Sequence, residues 1–236
     1  MGEAQAAEGK AEQTEQIGRT VQIVQTVQIV ETEKIGQPVQ AEKTEKTKQT
    51  EKTKQTEYRA NTRRHLLIRE AVPEDRQVLQ DVLIDAYGQY EQTLSEARWM
   101  EYKDSIIQAI DAAPTSARLV AELDGEVVGS VFLFESSEKA YGNPGLGILS
   151  PIIRLLGVSR KARGAGVATE LIAASARIAR DSGASTLHLH TSDMMDSAVR
   201  LYERLGFERA YDKEFMSGEV LVKSYRLQLA NASFLQ

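Results

Sequence analysis

LLGVSRKARGAGVATELIAASARIAR, residues 155–180, is the stretch that decides how this chain folds and what it can hold. A strand-like run ending Leu156-Gly157-Val158 passes through a basic, glycine-containing turn straight into an amphipathic helix, whose apolar stripe is Val167, Leu171, Ile172 and Ile178. The helix entry carries Gly164-Ala165-Gly166 where Ser, Thr, Asp or Asn would cap it, so its first amide hydrogens lack side-chain acceptors. Arg160, Lys161 and Arg163 come just before, although the helix macrodipole already concentrates about half a positive charge at that end. Open amides, glycines that allow close approach and surplus positive charge together describe a seat for a large anion such as a pyrophosphate. The competing reading is a surface turn with solvated cations. A Walker loop is excluded because Val167 follows Gly166 where Lys is required, and a dinucleotide fingerprint lacks its third glycine.

Working outward, the periodicity describes an α/β domain, an α+β mixed sheet with helices. Residues 66–69 form a first strand. In AVPEDRQVLQDVLIDAY, Val78, Leu79, Val82 and Ala86 share a helical face, and Pro73, Glu74 and Asp75 suit its first turn. A second helix is expected over 94–110. Asp124-Gly125 between the alternating runs 118–123 and 126–134 is a hairpin signal. Residues 135–147 read as a loop, and 152–158 as the strand that enters the glycine turn. Gly183 stops the helix, TLHLHTS at 186–192 is a strand, and a helix over 196–205 is ended by Gly206. Strands over 207–215 and 220–229 complete the order βααβββαβαββ.

Residues 1–57 are a low-complexity tail of Gln, Glu, Thr, Lys, Ala, Val and Ile with no aromatic residue before Tyr58, and the domain occupies 58–236. Within the tail, Val21 to Val30 reads VQIVQTVQIV, an uncharged alternating pattern suited to pairing with another chain, which makes a homodimer an expectation to test. Lys+Arg 29 against Asp+Glu 34 gives a net charge of -5, which supplies no general attraction to nucleic acid or to an anionic membrane. With no cysteine there is no disulfide, thiol nucleophile or thiolate metal site, and a reducing, cytoplasmic setting fits. No apolar run approaches the ~20 residues of a membrane helix.

Arg163-x-x-Gly166-x-Ala168 after a strand resembles the signature of the GNAT acetyltransferase family. A second stretch, SAVRLYERLGFE at 197–208, resembles the family's later helix and following strand, and the likeness extends over about 64–230. The resemblance implies the GNAT acyl-CoA N-acyltransferase fold and acetyl-CoA as co-substrate, with no metal. It implies that Leu156, Gly157 and Val158 line the pantetheine arm, and that Arg163, Gly164, Ala165, Gly166, Val167 and Ala168 hold the pyrophosphate, chiefly through backbone amides. It further implies direct attack, in a ternary complex, by a primary amine of a small molecule, peptide or protein. Val158 would then offer its amide to the thioester carbonyl, and Tyr202 would be the general acid.

Tyr202 also shares a helical face with Ala198, Leu201 and Leu205, so a core anchor is the alternative reading. The base is harder to find, because Ile152 stands where the family often has a glutamate. Met195 stands where it often has an asparagine. His188 and His190 alternate with Leu187 and Leu189 and so share one face of a strand; His190 is the candidate base, and no third ligand supports a metal there. These departures motivate a second function, an acyl-CoA-binding regulatory module with little catalysis.

Overall fold

The Asp124-Gly125 turn takes φ of 54° and 85°, as a two-residue hairpin with right-handed strand twist requires. It joins β2 (Ala117–Leu123) to β3 (Glu126–Phe134), which pair antiparallel from Leu123↔Glu126 to Ala117↔Leu133. The computed structural model describes residues 65–217 and 220–235. The tail, its 21–30 stretch and the start of the domain at 58 lie outside the described residues.

Around this hairpin the chain builds β1 (Leu66–Glu70), α1 (Arg76–Tyr87) and α2 (Glu96–Ala112) before it, then α3 (Ser137–Tyr141) and β4 (Ile152–Val158) after it. There follow α4 (Val167–Asp181), β5 (Thr186–Thr191), α5 (Asp196–Arg204), β6 (Glu208–Arg209), β7 (Phe215–Ser217) and β8 (Val220–Gln228). Among the described residues the strands form one mixed sheet in the order β1-β2-β3-β4-β5-β8-β6, with β7 paired to β8.

Two glycines show how the helices flank it. A Cβ on Gly129 would lie 3.0 Å from Val167 Cγ1 and 3.2 Å from Leu171 Cδ1 of α4, whereas one on Gly157 would lie 2.7 Å from Leu83 Cδ2 of α1. Gly129 pairs with Val158, and Gly157 with Ser130, so the two glycines face opposite sides of the sheet and put α1 and α4 on opposite faces. Leu83, Ala86 and Tyr87 of α1 and Leu171, Ile172 and Ala176 of α4 are fully buried there.

The structure corrects three details. The expected loop at 135–147 contains α3, because Ser136 Oγ accepts from the Lys139 amide and Gly142, at φ 64°, stops the turn. The single strand expected over 207–215 is broken into β6 and β7, with Arg209 Nε donating to Glu214 Oε1 at 2.6 Å across the interruption. The order is therefore βααββαβαβαβββ. Pro73–Asp75 is a separate single turn, and Asp75 serves β1 rather than the α1 dipole: it accepts from Arg69 at 2.6 and 2.9 Å.

What matters for function is where the sheet opens. The parallel pairing of β4 with β5 covers only Ile152↔His188 and Ile153↔Leu189, and the strands diverge beyond it. At the divergence Leu155 adopts φ 49°, a strained conformation for a branched side chain, next to a register break between Ser130 and Phe132 of β3. This bulge turns the end of β4, Leu156 to Val158, away from β5 and toward the glycine turn. Among the described residues no helix is long and apolar enough to cross a membrane.

Candidate active site

The helix entry is as open as its sequence requires. Gly166 is the cap of α4, at φ 76° and with no side-chain cap bond, and Gly164 has the same φ. A Cβ at either position meets nothing within 4 Å. Among the described residues no acceptor is assigned to the amides of Gly164, Ala165 and Gly166. Val167 and Ala168 are buried in the first turn of α4, so only their backbone faces the entry. Glycines free of packing duty, carrying unused amides at a helix N-terminus, leave room and donors for an anion.

The positive charge read from sequence is a different matter. Arg160 donates to Asp85 through its amide and its Nε, both at 2.8 Å, and Lys161 pairs with Glu126. Arg163 turns inward, donating at 3.3 Å to Gln89 Oε1 and to the Ala86 carbonyl at the end of α1, while its Nε is buried without a partner. Burial lowers the ionisation of the Arg163 guanidinium. Two of the three cations are therefore ion-paired and the third bonds the carbonyl at the C-terminal end of a helix, which leaves the open amides as the uncommitted donors at this turn.

Gly157 also has a packing reason to be glycine, since α1 rests on it. Leu156 is buried, and its carbonyl lies 3.5 Å from the Tyr87 hydroxyl. Val158 ends β4 beside the divergence, 1% exposed.

Tyr202, on α5, is fully buried, with the rings of Phe207 and Tyr225 at 5.8 and 6.2 Å. Its hydroxyl has no hydrogen-bond partner among the described residues. Burial, reinforced by Tyr87 and Tyr90 of the α1 side, pushes the pKa of its phenol well above the usual range, so near neutrality it holds its proton. A buried hydroxyl left unpaired costs stability, and a core anchor would be better served by Phe.

His190 is fully buried with both ring nitrogens engaged: Nδ1 lies 2.8 Å from Tyr141 Oη and Nε2 lies 3.3 Å from the Lys213 carbonyl. The carbonyl can only accept, so Nε2 carries the hydrogen and Tyr141 donates to Nδ1. Burial pushes the imidazole down to about 3, and His188, buried and near Arg226, to about 4. The lone pair that a direct base would use is thus occupied by Tyr141, a residue the sequence reading placed in a loop. Arg154, buried on β4, stacks its guanidinium 4.7 Å over the Tyr141 ring and completes this wall. Ile152 and Met195 are buried apolar residues, as their positions in a strand and a turn allow. Among the described residues no group of three or more potential ligands is placed to hold a metal.

A family model described as the acetyltransferase (GNAT) family matches residues 78–207, more than half of the chain and both halves of this site. The chain belongs to the GNAT acetyltransferase family. Among curated relatives, N-acetyltransferase family 8 member 2 of Rattus norvegicus is 36% identical over 90 residues, 38% of this chain and 38% of that protein. N-acetyltransferase 8B of Homo sapiens is 32% identical over 125 residues, 49% of this chain and 52% of that protein. The GNAT chain thus spans about half or less of the length of these relatives. Among solved structures, a GNAT-family protein from Desulfovibrio desulfuricans aligns with TM-score 0.52 at 17% identity, covering 70% of this chain and 99% of that one. The ribosomal-protein-alanine N-acetyltransferase of Brucella melitensis aligns with TM-score 0.50 at 21% identity, covering 69% and 99%. At such identities the likeness is one of fold.

Proposed function

We propose that this GNAT chain is an N-acetyltransferase that moves an acetyl group from acetyl-CoA to a primary amine by direct attack in a ternary complex. The observation that carries the reading is an unsatisfied helix entry following β4 together with a buried, unpartnered Tyr202 hydroxyl near Tyr87, whose own hydroxyl lies 3.5 Å from the Leu156 carbonyl of β4. The amides of Gly164 to Gly166 and the first turn of α4 would hold the pyrophosphate, and the end of β4 would line the pantetheine arm.

In the proposed reaction the neutral amine attacks the thioester carbonyl, a C–N bond forms, and the Val158 amide stabilises the developing oxyanion. As the tetrahedral species forms, its nitrogen gives a proton to Tyr141 Oη while the Tyr141 hydroxyl proton passes to Nδ1 of His190. Collapse breaks the C–S bond, and Tyr202 gives its proton to the departing thiolate. The proton held on His190 then returns, through solvent, to the Tyr202 phenolate, so one proton has moved from nitrogen to sulfur. An imidazole held near 3 is a weak base, so the acceptor is drawn from its neutral form and the pair only carries its proton away.

The engaged His190 and the apolar Ile152 favour one alternative, a regulatory module that binds acyl-CoA without efficient transfer. Thiol release from acetyl-CoA across a panel of small amines and amino-terminal peptides separates the two. Amine-dependent release supports transfer; tight binding with no release at any amine makes the chain a binding module.

A further inference from the structure

The end of α1 is cross-braced to the anion-binding turn, and no feature of the sequence signature asks for it. Asp85 Oδ2 accepts from Ser159 Oγ and from the Arg160 amide, each at 2.8 Å, and its Oδ1 accepts from Arg160 Nε at 2.8 Å. At the next residue and one turn further along, the Ala86 carbonyl and the Gln89 side chain receive the Arg163 guanidinium. Burial would raise the Asp85 carboxyl, but the bonds from the Arg160 amide, the Arg160 side chain and Ser159 outweigh it and hold the group below the usual range. The carboxylate is therefore ionised and fully committed near neutrality.

Resting on the acetyl-CoA reading above, we propose that Asp85 is a positioning residue of the cofactor site, fixing residues 159 and 160 so that the amides of Gly164 to Gly166 are aimed before the ligand arrives. Two of its three bonds go to the turn itself, a backbone amide and the hydroxyl of the residue that leaves β4, and these define where the turn begins. The third is the ion pair with Arg160, whose side chain is 57% exposed, and pairs so exposed contribute little. The shaping work thus belongs to the bonds that an Arg160 substitution leaves intact. A turn with two flexible glycines gains most from such a fixed point, because whatever order it lacks in the free state must be supplied at the cost of binding energy.

The brace also has a reverse consequence. Coupling between a ligand and the element that prepares its seat is reciprocal, so a ligand held by the turn must in turn stabilise the end of α1 and the Gly88–Thr93 segment that follows it. That segment carries Tyr90, buried beside Arg163, and touches the other lip of the gap through Thr93 Oγ1, 3.8 Å from the Met194 sulfur.

The test is calorimetric titration of acetyl-CoA into the whole chain and into Asp85→Ala, Ser159→Ala and Arg160→Met variants, with hydrogen exchange of the same proteins. Asp85→Ala should weaken acetyl-CoA binding about tenfold, the loss expected when a residue's backbone must be ordered on binding. Ser159→Ala should fall between it and the parent, and Arg160→Met should change affinity less than about twofold. Acetyl-CoA should slow amide exchange over 85–93 in the parent and fail to do so in Asp85→Ala. In steady state the Michaelis constant for acetyl-CoA should rise while turnover at saturation is kept, a split that general loosening of the fold would not give. Equal affinity for parent and Asp85→Ala overturns the proposal and leaves the acetyl-CoA reading standing. A loss in Arg160→Met as large as in Asp85→Ala also overturns it, since the ion pair would then be the active element. A parent chain that binds no acetyl-CoA defeats the underlying reading instead.

Discussion

Tyr141 Oη lies 2.8 Å from Nδ1 of His190, joining a short helix after β3 to the strand that borders the gap in the sheet. The pair is closed on its far side by the Lys213 carbonyl and is packed against Phe215, whose ring is 5.5 Å from the imidazole. Burial of this kind favours the neutral ring in the folded chain.

Stability should therefore depend on pH through the histidines. In the folded chain burial puts His190 at about 3 and His188 at about 4, both below the unfolded value of roughly 6.5. The unfolded chain binds more protons in that interval, so the contribution is present above about pH 6.5 and lost as pH falls toward 3. Each histidine should remove up to roughly 1.4 kcal/mol per pH unit in this window. Urea titrations at pH 7, 6, 5 and 4 measure the slope, and His190→Gln should lessen it; the same slope in parent and variant would show that His190 is not the group responsible.

Gly157 should resist enlargement for reasons of packing. A Cβ there would sit 2.7 Å from Leu83 Cδ2 and 3.3 Å from the Ala86 Cβ, so α1 must retreat from β4 to admit it. Gly157→Ala should cost about 1–3 kcal/mol, the usual penalty of overpacking. Because α1 carries Asp85, acetyl-CoA affinity should weaken in parallel. Pairing it with Leu83→Ala, which vacates the colliding methyl, should recover part of the affinity, and a double-mutant cycle by denaturation and titration tests that coupling.

The sequence discloses more of the open entry to α4 than of the wall around His190, and the reason is physical. An uncapped helix entry is a local property, read from residues 163–168 alone, and β4 runs from 152 to 158 as its apolar pattern requires. The positive charge around that entry misleads, because Asp85 and Glu126, which neutralise Arg160 and Lys161, are 75 and 35 residues away along the chain. Tyr141 stays hidden for the same reason, standing 49 residues from His190 in a stretch whose Gly and Pro content reads as loop. The bulge at Leu155 has no local signature at all: a leucine at φ 49° is imposed by the sheet, against its own preference.

Gly166→Trp separates backbone strain from loss of the ligand seat. At φ 76° any L side chain is strained, at about 1–2 kcal/mol, yet nothing lies within 4 Å of the new Cβ, so the fold should survive with only that loss. Acetyl-CoA binding should disappear, because the indole occupies the space through which a pyrophosphate reaches the amides. Thermal melting and titration calorimetry read the two effects separately, and retained affinity would remove this turn from the cofactor site.

Tyr202→Phe should make the chain more stable and less active at once. The hydroxyl is buried, unpartnered among the described residues and held in its protonated form at rest, so deleting it relieves a desolvation cost of about 1–3 kcal/mol, and Phe keeps the contacts with Phe207 and Tyr225. If the same hydroxyl delivers the proton to the leaving thiolate, turnover should fall by about 100-fold or more while the Michaelis constant for acetyl-CoA stays the same. A core residue gives a different pair of results: unchanged turnover with raised stability would mark Tyr202 as an imperfect anchor with no chemical duty. A fall in both would point to a partner for the hydroxyl that holds the fold together. Only the opposed changes, measured by urea denaturation and by thiol release on one preparation, identify a polar group kept in an apolar core for the sake of a ligand.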